Sequence, residues 1–208
     1  MPNNNHFVQY GLILSAFLAF LLCPAIAETN ILINEIFYDP AKTGIGCYVE
    51  LIGEPGASLD DYRLVGINGN GGTQYNAIDL SSNKIPSDGY FVIAENMAVP
   101  NLDLMDAKAD YQNGPDNIEL WFEEERADSV GYGDFGDAIF TGEKMPTLDL
   151  SGHSIGRRKD GFDTDDNSID FVGLTVPSPG EPNWPQAAIR HSGKLSASWG
   201  KIKENKGK

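Results

Sequence analysis

Short runs of β-branched and aromatic residues recur about every ten to fifteen residues from Ile31 onward, each cut off by Gly, Pro, Asn or Asp. That punctuation constrains the fold most, because strands need only such short runs whereas helices need longer ones. No apolar stripe at helical spacing runs through the body of the chain. The first run covers residues 31–38 and ends at Asp39-Pro40, where proline removes a donor and turns its predecessor toward extended backbone. A polar, Gly-containing bend leads to a second run at 47–51, and the two are predicted to open an all-β domain.

Later runs continue the pattern. Residues 61–67 are predicted to form a strand, stopped by Asn68-Gly69-Asn70-Gly71-Gly72, which supplies the positive φ that hairpin connections require. A weaker strand is expected at 75–80, and Tyr90-Phe91-Val92-Ile93-Ala94 reads as a central core strand. Residues 95–116 are polar, lack a period and read as a long surface loop. In residues 117–122, Ile118, Leu120 and Phe122 are expected on one face, with Asn117, Glu119 and Trp121 on the other. Glu123-Glu124-Glu125 reads as a solvated hairpin tip, and 128–132 returns as a strand. A Gly/Asp-rich loop then runs to Ser151, and short strands are predicted at 154–157 and 170–172. Eight or nine such strands argue for an antiparallel β-sandwich with long loops.

The N-terminal segment has a different character. Residues 11–23 are almost wholly apolar and are followed by Pro24-Ala25-Ile26-Ala27, the pattern of a secretory leader with cleavage expected after Ala27. The apolar stretch is shorter than the roughly 20 residues that span a bilayer. A secreted protein is therefore expected, extracellular or periplasmic and open to attachment at the cell surface. Cleavage would leave one domain at 28–184, a basic tail at 185–208, and Cys47 as the single cysteine. In a strand, a lone cysteine reads first as a small buried hydrophobe and second as an interchain bridge.

From Arg190 to the end there are six basic residues and one acidic; the rest of the chain has nine basic and 29 acidic, a net charge of −20. A body so acidic repels phosphate backbones, which argues against direct nucleic-acid binding by the folded part. In the tail, Leu195, Trp199 and Ile202 fall on one helical face among lysines, a pattern suited to a membrane surface, a partner or the acidic body itself.

Several segments, in order, resemble the lamin-tail domain in its bacterial secreted form: Ile33-Asn34-Glu35-Ile36, Tyr48-Val49-Glu50-Leu51, Leu59-Asp60-Asp61-Tyr62-Arg63-Leu64, and Ile85-Pro86-Ser87-Asp88-Gly89-Tyr90-Phe91-Val92-Ile93. Pro115-Asp116-Asn117-Ile118-Glu119-Leu120-Trp121, Ser154-Ile155-Gly156-Arg157 with Asp170-Phe171, and Ser178-Pro179-Gly180-Glu181-Pro182-Asn183 complete the likeness, which covers residues 28–184. The resemblance implies an immunoglobulin-like β-sandwich and offers no catalytic residues to carry over. It also implies frequent association with secreted nucleases and phosphatases. The chain departs from the common family length through its loops at 95–116 and 133–152.

Two groups of residues invite a chemical reading. Asp160, Asp163, Asp165 and Asn167 form the densest oxygen-bearing cluster, a candidate Ca2+ site because hard cations take six to eight oxygen ligands. The same residues suit turns, and the spacing does not match an EF-hand loop. Glu35 and Glu50 lie in the opening strand pair, where two carboxylates could serve acid–base chemistry. No nucleophile or histidine is placed to complete such a site, and Glu35 is expected to pair with Arg63 or Arg157 or to accept backbone hydrogen bonds. The sequence thus points to a non-catalytic exported module for protein binding, attachment or assembly at the surface. The alternative is an accessory domain or subunit of a secreted metal-dependent hydrolase.

Overall fold

The structure, a computed structural model, describes residues 30–40 and 45–183. In chain order its elements are β1 (Leu32–Phe37), β2 (Tyr48–Ile52), β3 (Tyr62–Asn68), β4 (Gln74–Asp79), β5 (Tyr90–Ala94), β6 (Leu104–Met105), β7 (Asp116–Phe122), β8 (Glu125–Tyr132), β9 (Ser154–Arg157), α1 (Asn167–Asp170) and β10 (Phe171–Leu174). Six strands form one sheet in the order β10-β9-β1-β2-β5-β6, and four form the other in the order β4-β3-β7-β8. Neighbours run antiparallel except β5 and β6, which are parallel. The two sheets pack as an all-β sandwich, in keeping with the punctuated sequence. The proposed leader (1–27), the tail (185–208) and Cys23 lie outside the described residues.

Alternation decides what faces the core. Ile33, Ile36 and Tyr38 from the first run, Val49 and Leu51 from β2, Leu64 from β3, Ile118 and Leu120 from β7 and Val130 from β8 meet between the sheets. The opposite face of the six-stranded sheet carries a smaller apolar cluster of Phe37, Tyr48, Val92, Ala94 and Val99. A β-bulge between Ile33 and Glu35 lets Ile33 and Ile36 both reach the core, although three positions separate them. It also turns Glu35 to the outer face, directly across from Glu50.

Some expectations change in three dimensions. The segment 95–116 is not simply a surface loop: it supplies β6, and it buries Val99, Ala109 and Tyr111. Phe122 is 41% exposed at the strand end, its ring tilted against that of Tyr62 at 4.8 Å, whereas Asn117 and Glu119 are buried. The long loop after β8 folds over Asn117, and Glu119 is held by Trp121 Nε1–H at 2.8 Å and by Arg126 at 3.5 Å. Asn117 Nδ2 donates to the Ile139 carbonyl at 3.0 Å, and Thr141 N–H donates to Asn117 Oδ1 at 2.9 Å. The last strand begins at Phe171, because Asp166 caps α1 by accepting from Ser168 N–H at 3.2 Å and Asp170 belongs to that helical turn.

Candidate functional site

The carboxylates singled out in the opening strand pair come together, but beneath a cover. Glu35 and Glu50 are both fully buried on the outer face of the six-stranded sheet, and the segment after β10 crosses over them. Glu35 accepts from the hydroxyls of Ser154 and Ser178 and from Ser178 N–H, the last at 3.1 Å. Glu50 accepts from Asn34 Nδ2 at 2.8 Å and from Gly180 N–H at 2.6 Å. Asp160 joins the group: its oxygens take Tyr90 Oη–H at 2.9 Å and Asn183 N–H at 3.3 Å. Asn183 completes the clasp by donating to the Asn34 carbonyl at 3.1 Å and to that of Arg157 at 3.3 Å.

Burial dominates the electrostatics of this clasp. Removal from water pushes the Glu50 carboxyl up to about 8, with the charges of Glu35 and Asp160 adding to the effect and the bonds from Asn34 and Gly180 opposing it. The Glu35 carboxyl is raised in the same way, against the pull of its serine donors. Tyr48, buried beside both, is held neutral by burial and by their charges.

A second group lies on the other side of the same sheet, between the two sheets. Arg157 is fully buried at the end of β9. Its Nη2 meets Asp128 Oδ2 of β8 at 2.9 Å, its Nη1 meets Asp163 at 3.2 Å and Asp170 at 3.7 Å, and its Nε donates to the Ile33 carbonyl at 2.8 Å. The guanidinium also lies over the Phe171 ring, 4.7 Å from its centre. Asp128 Oδ2 accepts Ile33 N–H at 2.7 Å as well, so one ion pair ties β8 to β1 and β9. Burial raises the Asp128 carboxyl, and the adjacent Arg157 charge pulls it back.

The four oxygen ligands predicted from sequence separate into different surroundings. Asp160 belongs to the Glu50 clasp and Asp163 to the Arg157 group. Asp165 is exposed at φ 55°, its N–H bonded to Asp163 Oδ1 at 3.2 Å. Asn167 is buried with its amide occupied: Oδ1 accepts from Gly131 N–H at 3.0 Å and Glu143 N–H at 2.9 Å, and Nδ2 donates to the Ser129 carbonyl at 2.9 Å and to Glu143 Oε2 at 3.1 Å. Asp163 shares a second carboxylate cluster, with Asp128 and Glu143, whereas Asp160 sits with Glu50.

Glu35 meets Ser178 N–H rather than either arginine; Arg63 instead lies 5.0 Å from the centre of the Trp121 ring. Sequence reasoning missed Asp128, Glu143, Ser178, Gly180 and Asn183. Asp128 carried a signal, since it occupies an inward position two and four residues before Val130 and Tyr132. The others sit in aperiodic loops; Ser178, Gly180 and Asn183 fall in a segment that carries the resemblance, but nothing in the sequence assigns them a contact with Glu35 or Glu50.

Two surface cavities, one lined by residues such as Asp61, Arg63, Lys108 and Glu123 and the other by Asn30, Phe122 and Arg126, include none of the carboxylates of either group. In comparisons with known proteins, no family model, no curated protein and no solved structure matches the chain.

Proposed function

We propose that the chain is an exported, non-catalytic module of the lamin-tail type, an immunoglobulin-like β-sandwich that mediates attachment or assembly at the cell surface. The observation that carries this reading is how the Glu35–Glu50 pair is used. Both carboxylates are enclosed under residues 175–183 and bonded to the chain itself, so they fasten a loop and present nothing to a substrate. The apolar leader, the acidic body and the ordered run of motifs support the same reading.

Two measurements test it. Expressed with its leader, the chain is expected outside the cytoplasm with Glu28 at its N-terminus. Purified residues 28–190, labelled and added to intact cells of the source organism, are expected to bind saturably and to be displaced by unlabelled protein. Retention in the cytoplasm with the leader attached would refute export. Failure to bind, or ester hydrolysis that disappears in Glu50→Gln, would refute a non-catalytic attachment module.

A further inference from the structure

The geometry points to a Ca2+ site built from Asp128, Glu143 and Asp163. Asp128 comes from β8, Glu143 from the loop that follows it and Asp163 from the loop after β9, and one oxygen of each lies within 4.8 Å of the other two. With calcium–oxygen bonds of about 2.4 Å, oxygens on opposite sides of one ion stand about 4.8 Å apart, so the three fit a single coordination sphere.

Each carboxylate is already fixed through one oxygen. Asp128 Oδ2 takes Ile33 N–H and Arg157 Nη2, Glu143 Oε2 takes Asn167 Nδ2, and Asp163 Oδ1 takes Arg157 Nη1 and Asp165 N–H. Such outer partners orient a ligand and leave its second oxygen for the ion. On Asp128 that second oxygen, Oδ1, is enclosed and takes no hydrogen bond from the described residues. A buried acceptor in that condition requires an explanation, and a cation supplies one.

Charge argues the same way. Asp128, Glu143, Asp163 and Asp170 gather around one guanidinium, and Asp165 also acts on Glu143. The neighbouring Lys144 is engaged elsewhere, 3.0 Å from Asp166. Oxygen-only donors favour a hard ion over zinc or copper. Ligands drawn from a strand and two loops suit the adaptable sphere of Ca2+ better than the strict octahedron of Mg2+. The set keeps Asp163 from the sequence-predicted cluster, places Asn167 behind Glu143 as its orienting partner, and leaves Asp160 in the clasp. It is independent of the attachment reading.

The full chain should be melted in EGTA, in Ca2+ and in Mg2+, and Ca2+ should be titrated calorimetrically. With Ca2+ about a hundredfold above its Kd, the midpoint is expected to rise by about 5 °C or more. One ion is expected per chain, with a smaller rise in Mg2+. Glu143→Gln keeps an acceptor for Asn167 and removes one charge; it is expected to melt cooperatively in EGTA and to bind Ca2+ about tenfold more weakly or worse. Asp163→Asn is expected to weaken binding likewise. No bound Ca2+ on the wild type, an equal response to Mg2+, or unaltered Ca2+ affinity in Glu143→Gln would overturn the site. The wild-type stoichiometry decides even where a variant fails to fold.

Discussion

Arg157 Nη2 lies 2.9 Å from Asp128 Oδ2 with both side chains wholly enclosed, so a charge pair out of reach of water joins the two sheets. Each partner makes the other tolerable: the aspartate offsets the buried guanidinium, which also bonds the carbonyls of Ile33 and Phe162. Taking two charges out of water is costly, and removing one partner leaves the other uncompensated.

Arg157→Met is therefore expected to lower stability by about 3–5 kcal/mol, measured by urea unfolding. The double variant Arg157→Met/Asp128→Leu is expected to recover part of that loss, since it removes the stranded charge. A single-variant loss below about 1 kcal/mol would show that the pair is not the tie described.

Stability is expected to fall as pH rises from 5 to 9. The Glu50 carboxyl has a folded-state pKa near 8, above its ordinary value of 4.5, so the folded protein holds a proton that the unfolded chain releases. The contribution is complete below the unfolded value and is lost as pH climbs through about 8, a change on the order of a few kcal/mol. Glu50→Gln is expected to reduce the dependence, with the other carboxyls that burial raises, Glu35, Asp116 and Glu143 among them, contributing to the remainder. A flat profile in the wild type would contradict it.

Gly180 adopts φ +75°, and a Cβ there would stand 2.4 Å from Asn101 Cβ. Gly180→Ala is expected to cost about 1–3 kcal/mol through left-handed backbone strain and displacement of Asn101. Because Gly180 N–H also bonds Glu50, the damage should appear first as faster amide exchange at residues 178–183. Unchanged exchange there would mean that the clasp does not depend on this turn.

Cys47 is expected to resist alkylation at pH 8 until the chain is unfolded. Its thiol is buried against the Tyr38 carbonyl at 3.2 Å, and burial together with the Glu95 charge pushes it up to about 12. Thiolate, the reactive form, is then scarce at pH 8. Rapid labelling by iodoacetamide without denaturant would count against the placement and would reopen an interchain bridge.

Strand positions were legible because period-two alternation and turn residues act over a few neighbours. β5 was read at its observed bounds, and β9 likewise, while β4 was displaced by a single residue. The facing of β7 was legible too, with Ile118 and Leu120 in the core and Asn117 and Glu119 opposite; alternation tells which side a residue points to, but not that a distant loop covers that side at Asn117. The candidate site was half legible. Glu35 and Glu50 were marked by sequence as a pair, and Asp160 and Asp163 as one cluster, yet Asp160 joins Glu50 and Asp163 joins Asp128 and Glu143.

By itself, then, the sequence determined a sandwich of short strands with an acid-rich exterior, because backbone preference and apolar periodicity are local. Only the tertiary structure decided which carboxylates meet. The sheet order β10-β9-β1-β2-β5-β6 brings Arg157 beside Ile33, and the sandwich then sets Asp128 of the opposite sheet against both. The strap after β10 closes Ser178 and Gly180 onto Glu35 and Glu50, more than a hundred residues earlier in the chain. Burial and Coulomb interactions depend on distance in space, and no spacing along the chain encodes it.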